Sequence, residues 1–227
     1  MSILKRIGAL SVPLFAAQAC TAPLSTLDPA GPSAEAISWL WWVFLAGAAG
    51  LTVFVMALLA LSFGRPRAVS ERRWTWGLGV WFSLAILSGM LVAGVAVGER
   101  LVSRDAAIEV HAHAQQWSWT FTHPGPDGAM VEAGRDLHIP AGQPVDVRIT
   151  SADVIHSFWV PRLAGKMDAI PGRENVLRIQ AASPGIYEGR CAEFCGIGYA
   201  THRFRVIAHD PAEWPADVPA PAEEASE

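Results

Sequence analysis

Two long apolar segments constrain the fold of this 227-residue chain more than any other feature of its sequence. The first runs from Trp39 to Phe63 and the second from Trp74 to Gly98, and each holds 25 residues without a charged side chain. At about 1.5 Å per residue, each segment is long enough to cross the roughly 30 Å of hydrocarbon in a bilayer. Tryptophans cluster where each segment begins, as expected of rings that favour the headgroup boundary. The sequence therefore predicts a hairpin of two transmembrane helices.

The connection between these segments, residues 64–73, carries four arginines and one acid, Glu71. Positively charged connections stay in the cytoplasm, so we expect both ends of the hairpin to face the periplasm across a bacterial inner membrane. From Glu99 onward the chain holds eleven Lys/Arg and eighteen Asp/Glu. An acidic exported domain attracts basic partners, although a merely solvated surface explains the same charge.

The N-terminal residues 1–20 predict a cleaved signal peptide, since Lys5 and Arg6 precede a short apolar run that ends near Cys20. Cys20 occupies the place where a bacterial lipoprotein is cut and acylated. Simple cleavage near Cys20 and an uncleaved start are the alternatives. Residues 21–38 are predicted to form a periplasmic tether, and the Pro- and Glu-rich residues 213–227 a disordered tail.

Residues 99–212 differ in character from the apolar segments and predict an all-β sandwich or barrel. Short alternating segments are separated by Gly, Pro and Asp, and no long helical period interrupts them. The predicted strands are Ala107–His113, Trp117–Thr122, Asp136–Ile139, Val145–Thr150, Ser157–Val160, Asn175–Gln180 and Phe204–Ala208.

The motif Cys191-Ala-Glu-Phe-Cys195 places two thiols four positions apart on a predicted loop, with His156 upstream and His202 downstream. Thiolate and imidazole together select copper or zinc, and a Cys/His site with weak axial donors is typical of copper electron-transfer centres. A disulfide between the two cysteines is the competing interpretation in an oxidising compartment. A bridge that closes so short a loop stabilises little, which favours the metal.

Several motifs of the chain occur together in one known family: the two-helix hairpin, Leu27-Asp-Pro-Ala-Gly-Pro32, Gln116-Trp-Ser-Trp119, Asp153-Val-Ile-His-Ser-Phe-Trp-Val-Pro161, Lys166-Met-Asp-Ala-Ile-Pro-Gly172 and Cys191-Ala-Glu-Phe-Cys-Gly196. With them the chain resembles subunit II of the bacterial haem-copper cytochrome c oxidases, and the resemblance extends over nearly its whole length. The resemblance implies a cupredoxin-like barrel behind a helical hairpin. It also implies a dinuclear copper (CuA) centre that receives electrons from cytochrome c and passes them to haem in subunit I.

Carried over residue by residue, the resemblance makes Cys191 and Cys195 the bridging thiolates, His156 one imidazole ligand and the backbone carbonyl of Glu193 a weak ligand. The Glu193 carboxylate would point toward subunit I and help hold an interface magnesium ion, although a solvated acid is the plainer interpretation. The resemblance assigns Trp117 as the exposed ring where electrons enter from cytochrome c.

The chain departs from the family pattern at two ligand positions, where Tyr199 replaces a His and His202 replaces a Met. A neutral phenol is a poor copper ligand, and an imidazole in place of a thioether changes the redox potential. Three outcomes are open: His202 serves as the second imidazole after a loop shift, the centre holds one copper, or it does not transfer electrons. We include His202 among the metal ligands and treat Tyr199 as an uncertain position.

Period-two alternation predicts that Trp117, Trp119 and Phe121 share one face of a strand, with Trp119 and Phe121 in the barrel core. Lys166, Asp168 and Arg173 are expected to make structural contacts in an interface loop. The histidines without a neighbouring cysteine are predicted to be ordinary surface residues: His111, His113, His123 and His138.

The resemblance therefore favours an electron-transfer subunit that works with oxidase subunit I, other oxidase subunits, cytochrome c and membrane lipid. The resemblance implies that oxygen reduction occurs in another chain, and this sequence shows no catalytic triad or phosphate loop of its own. The main alternative is the structural subunit II of a quinol oxidase with an impaired or absent copper centre. A copper carrier would need clustered methionines for exchange, and the five methionines here are scattered.

Overall fold

The structure is a computed structural model, and it describes residues 21–64, 70–102, 106–125 and 127–214. The predicted signal peptide with Cys20 and most of the predicted tail lie outside these residues. The chain divides into two compact units, one of residues 36–103 and the other of residues 1–35 with 104–227.

The smaller unit consists of two apolar helices, α1 (Pro32–Ser62) and α2 (Arg73–Leu101). Both are long and apolar enough to cross a membrane, and their apolar side chains are largely exposed. The first ten residues of α2, Arg73–Phe82, are wound as a wider π-helix before the α-helix continues. Phe54 and Phe82 bring the two helices together, with ring centroids 5.5 Å apart.

Helix α1 begins seven residues earlier than the predicted span, so part of the predicted tether is helical. Residues just before it are held on the β domain, because the amide of Ala30 donates to the Arg162 carbonyl and the amide of Ala182 donates to the Ala30 carbonyl. A Cβ at Gly31 would lie 2.1 Å from the Gln180 carbonyl oxygen, so this approach requires glycine. The segment is therefore fixed to the β domain rather than a free linker.

The larger unit is a cupredoxin-like two-sheet β structure, which confirms the predicted fold class. The strands are β1 (Ile108–Gln115), β2 (Ser118–Pro124), β3 (Met130–Gly134), β4 (Asp136–Pro140), β5 (Val145–Ser151), β6 (His156–Trp159), β7 (Lys166–Ala169), β8 (Asn175–Ile179), β9 (Gly185–Cys191) and β10 (Arg203–His209). Among the described residues, one sheet has the order β3-β2-β1-β5-β8 and the other β4-β10-β9-β6-β7. Strands β3, β7 and β9 are absent from the sequence prediction.

The core lies between the two sheets and follows the strand alternation. Strand β5 buries every second residue, and Phe204, Val206 and Ala208 of β10 point inward in the same way. Trp119 and Phe121 are almost fully buried at the centre, in agreement with their predicted core positions. Burial of such large side chains is the main favourable term that holds the sheets together.

Candidate metal centre

Four potential ligands meet at one end of the second sheet. His156 is the first residue of β6, Cys191 is the last residue of β9, and Phe158 pairs with Cys191 in the register of these strands. A short 3₁₀ helix (Ile197–Thr201) lies in the connection between β9 and β10. The amide of Cys191 donates to the His202 carbonyl at 2.9 Å. Strand pairing therefore brings both imidazoles to the cysteine motif.

The donor atoms of His156, Cys191, Cys195 and His202 all lie within 4.8 Å of one another. The two Sγ atoms are 3.8 Å apart, and Cys195 Sγ lies 3.7 Å from His202 Nδ1. All four side chains are buried, and both cysteines are free thiols rather than a disulfide. We refer to these four residues as the donor cluster.

Asp153 orients the first imidazole of the donor cluster. Its Oδ1 lies 2.8 Å from His156 Nε2, while Oδ2 accepts from the amide of Gln116 and Oδ1 from the amide of Val154. Burial alone would raise the pKa of Asp153, but the hydrogen bonds from His156, Gln116 and Val154 lower that pKa to about 2. The opposite nitrogen, His156 Nδ1, is buried and has no hydrogen-bond partner within the described residues.

The thiols are held by the backbone around them. The amide of Ser157 donates to Cys191 Sγ at 3.5 Å, and Cys191 Sγ lies 3.3 Å from the Glu193 carbonyl oxygen. Burial raises the pKa of Cys195 to about 12, with the neighbouring Cys191 adding to the shift. Burial also lowers the pKa of His202, so its imidazole stays neutral. In the metal-free protein Cys195 therefore keeps its proton at neutral pH.

These residues fit a copper ion by their chemistry. Two sulfurs and two imidazoles are the donor set that soft and borderline metals prefer. The unpaired His156 Nδ1 is a buried polar atom for which the described residues provide no other role, and such atoms ordinarily have a partner. A carboxylate that holds the far nitrogen of a histidine ligand is the usual support of a metal site.

Tyr199 and the Glu193 carboxylate lie apart from the donor cluster. The Tyr199 ring packs 5.8 Å from the Phe194 ring and 5.9 Å from the guanidinium carbon of Arg190. The Glu193 carboxylate pairs with Lys166 Nζ at 3.3 Å, and the same ammonium lies 2.9 Å from Asp168. The second imidazole near the thiols is thus His202, and Glu193 approaches Cys191 only through its backbone.

Trp117 differs from the sequence expectation, because it precedes β2 and does not share the inward face of Trp119 and Phe121. Its ring is 46% exposed and lies on the loop after Cys195, where a Cβ at Gly198 would fall 2.4 Å from Trp117 Cδ2. Trp119 instead packs beneath the donors, with its ring 5.5 Å from His202 and 6.3 Å from His156.

The sequence analysis assigned no role to two residues that hold the donor cluster in place, and it predicted two buried histidines to be exposed. Asp153 and Gln116 lie in motifs that it singled out, but neither received a role; Gln116 Nε2 donates to the Cys195 carbonyl at 2.6 Å. The spacing Asp-x-x-His was the available signal for Asp153. His123 and His138 are buried, contrary to their interpretation as surface residues, because His123 packs against His138 and Trp214, and His138 packs against His209.

Fold and site together describe a two-sheet β domain that follows two long apolar helices in the sequence and buries two cysteines and two histidines able to hold a metal ion. The model of the "Cytochrome C oxidase subunit II, periplasmic domain" family matches residues 124–208. The chain is 30% identical over 218 residues to cytochrome c oxidase subunit 2 of Alkalihalophilus pseudofirmus, covering 86% of this chain and 61% of the relative. It is 31% identical over 207 residues to quinol oxidase subunit 2 of Bacillus spizizenii, covering 81% and 62%.

Among solved structures, the periplasmic domain of subunit II of cytochrome oxidase from Bradyrhizobium japonicum aligns with a TM-score of 0.47 and 27% identity, covering 51% of this chain and 94% of that one. Over most of its length the chain is similar to oxidase subunit II proteins, as its sequence resemblance predicted. It spans about three fifths of the length of the relatives from A. pseudofirmus and B. spizizenii. Relatives of both the cytochrome c and the quinol type are similar to it.

Proposed function

We propose that this chain is the electron-transfer subunit of a terminal respiratory oxidase, in which the donor cluster holds copper. It accepts electrons from cytochrome c and passes them to haem in subunit I. The observation that carries the proposal is the burial of two free thiols and two imidazoles with all donor atoms within 4.8 Å of one another. A subunit that had lost its metal would have no physical need to keep this donor set buried together.

Copper, when bound, supplies a one-electron couple. His156 and His202 would provide imidazole nitrogens, Cys191 and Cys195 thiolates, and the Glu193 carbonyl a weak oxygen ligand. A sulfur separation of 3.8 Å suits either one ion or a bridged pair, because a metal–sulfur bond of about 2.3 Å exceeds half of it. His202 fills the ligand role that the family gives to a His at position 199, so the proposal needs no ligand from Tyr199.

Trp117 is proposed as the entry point for the electron. Its partly exposed ring rests on Gly198, and Gln116, its neighbour in the chain, binds the Cys195 carbonyl. This arrangement gives a donor docked on Trp117 a short path through one backbone segment to a thiolate ligand. Acidic character of the surrounding domain would attract a basic donor such as cytochrome c.

We further propose that α1 and α2 cross the inner membrane, that their connection faces the cytoplasm, and that the β domain lies in the periplasm against subunit I. The apolar, largely exposed helix surfaces support contact with lipid and with other oxidase subunits. Glu193 is proposed to give one carboxylate to a magnesium site shared with subunit I. Lys166, which pairs with Glu193 here, would have to release it on assembly.

A second candidate is the structural subunit II of a quinol oxidase. The similarity to the Bacillus spizizenii quinol oxidase subunit and the phenol at position 199 favour it. In that case the four donors would serve packing alone, and electrons would enter the complex elsewhere.

Turnover of the intact oxidase complex, purified from its native membrane, separates these functions. We expect reduced cytochrome c to sustain oxygen consumption, and Cys195→Ser in this chain to abolish that activity while the complex still assembles. The matched control is Ser183→Cys, which changes a residue of the β8–β9 turn and leaves the donor cluster intact. Oxidation of quinol but not of cytochrome c, unaffected by Cys195→Ser, would instead support the structural role.

A further inference from the structure

A groove separates the two apolar helices toward the end where α1 finishes and α2 begins. Phe54 and Leu58 line it from α1, Trp74 and Leu78 line it from α2, and Arg73 stands beside them. The two residues of α1 are four positions apart and therefore share one face of that helix. The lining leaves about 240 Å³ of open space. We call these five residues the helix groove.

The helix groove is apolar except for Arg73, and the two helices do not fill it themselves. The Phe54 side chain is 38% exposed and the Trp74 side chain is 45% exposed. An empty space between apolar side chains loses the van der Waals contacts that a neighbouring group would provide. In a bilayer, an acyl chain or a further helix therefore has to fill the groove.

Two guanidinium groups stand together where α2 begins. Arg72 immediately precedes Arg73, and both side chains are exposed. Among the residues that the structure describes, neither guanidinium has a hydrogen bond or an acidic partner. A guanidinium is planar and donates two parallel hydrogen bonds to phosphate oxygens. The mouth of the helix groove therefore offers two unpaired positive charges to a phosphate.

The order of residues along α2 matches the order of chemical groups in a phospholipid. Indole rings favour the headgroup boundary, so Trp74 places the mouth of the helix groove at that level. Arginine side chains extend toward the same boundary. Beyond the mouth, Phe54 continues the apolar packing with Phe82, with ring centroids 5.5 Å apart. The groove thus fits a molecule with a phosphate at one end and a hydrocarbon chain at the other.

We propose that the helix groove binds one anionic phospholipid, with the phosphate on Arg72 and Arg73 and an acyl chain along Phe54, Leu58 and Leu78. Each basic side chain near an anionic leaflet strengthens binding by about fivefold, which favours a negatively charged headgroup over a zwitterionic one. A transmembrane helix of another subunit is the poorer occupant, because acidic side chains are costly inside a membrane.

The lipid site rests on the proposal that α1 and α2 cross the membrane. It does not depend on copper or on electron transfer, since every residue of the groove belongs to the helical unit. The lipid belongs to the leaflet on the side of the basic connection between the helices, which we propose to be the cytoplasmic one.

Native mass spectrometry of the full chain in detergent tests the headgroup contact. The delipidated chain is titrated with phosphatidylglycerol or with phosphatidylcholine, and we expect the first phosphatidylglycerol to bind at least about tenfold more tightly. Arg72→Gln with Arg73→Gln should abolish this preference. Arg100→Gln, which removes the same charge from the last turn of α2, should keep it. Equal affinities for both lipids in the wild type, or a preference that survives in the double variant, would overturn the proposal.

A second pair of variants tests the apolar part of the helix groove. Leu78→Trp fills the groove and should weaken binding of phosphatidylglycerol by at least about tenfold, although both arginines remain. Leu84→Trp is the control, because this residue of α2 is exposed and lies outside the groove. Wild-type affinity in Leu78→Trp would show that charge alone holds the lipid. Displacement by glycerol phosphate would reveal a site for soluble anions, and either result would refute the lipid site.

The intact oxidase complex shows which occupant the helix groove has in the cell. After purification from native membranes, lipid extracts of the Arg72→Gln, Arg73→Gln complex should contain about one anionic phospholipid fewer than the wild type. Identical lipid content would contradict the proposal, since a helix of another subunit would then cover the groove. Copper content of the same preparations should be equal, so the lipid site and the copper proposal are tested separately.

Discussion

Asp153 Oδ1 lies 2.8 Å from Nε2 of His156, and this contact determines which imidazole nitrogen is available to a metal. Since Nε2 is committed to the carboxylate, Nδ1 is left free in the buried donor cluster. The carboxylate is in turn held by the amides of Gln116 and Val154. Three residues outside the donor cluster thus fix the orientation of one proposed ligand.

Asp153→Asn is expected to weaken copper binding by about 10- to 100-fold, as is typical when the support of a histidine ligand is removed. The side-chain amide introduced by this substitution is neutral, so it stabilises the His156 N–H less than the charged carboxylate does. Competition with a chelator of known affinity measures the change. Asp127→Asn, in the exposed β2–β3 turn, is the matched control and should leave the affinity unchanged. Equal affinity in Asp153→Asn and the wild type would contradict this role.

Copper uptake should release protons and weaken in acid. Burial raises the pKa of Cys195 to about 12 in the metal-free protein, so the thiol is protonated throughout the neutral range. A copper ion must displace that proton to bind Cys195. The apparent affinity for copper should therefore fall by about tenfold each time the pH is lowered by one unit. Titrations at several neutral pH values with a proton-sensitive dye measure both effects. An affinity independent of pH would show that Cys195 is not a thiolate ligand.

His202→Met should raise the reduction potential of the centre. A thioether is a softer donor than imidazole and favours the cuprous ion. A tenfold change in relative affinity for the two oxidation states corresponds to about 59 mV for one electron, and we expect at least that shift. Tyr199→Phe is the control, because this ring packs on Phe194 outside the donor cluster. Identical potentials for His202→Met and the wild type would exclude His202 as a ligand.

Trp117→Ala should slow turnover with cytochrome c about tenfold or more and leave copper content unchanged. The ring is exposed and contacts the loop after Cys195, but it is not a member of the donor cluster. Steady-state oxygen consumption at several donor concentrations measures the effect, and Trp76→Ala in helix α2 is the control. Unchanged turnover would mean that Trp117 only packs against Gly198.

The sequence was sufficient to predict the apolar helices, the β class and the residues that form the donor cluster, since these depend on runs of residue type and on short spacings. The role of the motif Cys191-Ala-Glu-Phe-Cys195 could be inferred from the residue types and spacing within the motif itself. Asp153 could not be assigned in the same way, because its role depends on how β6 starts relative to Gln116 in another sheet.

The missed strands and histidines have a similar cause. Strand β9 contains Gly185 and Gly189, so its apolar alternation is weak, and Gly189 is required because a Cβ there would lie 2.3 Å from Phe204. His123 and His138 are polar residues in strands, which predicts exposure. His123 is covered by Trp214 and His138 by His209, which is 71 positions away in sequence, and no local pattern reports such contacts.

Copper content of the purified full chain tests the central claim most directly. After exposure to excess copper and removal of free ions, the wild type should retain at least one copper per chain and absorb visible light from thiolate-to-copper charge transfer. Cys191→Ser with Cys195→Ser should lose both the copper and the absorption. A colourless wild-type protein without bound copper, or equal copper in wild type and double variant, would contradict the account.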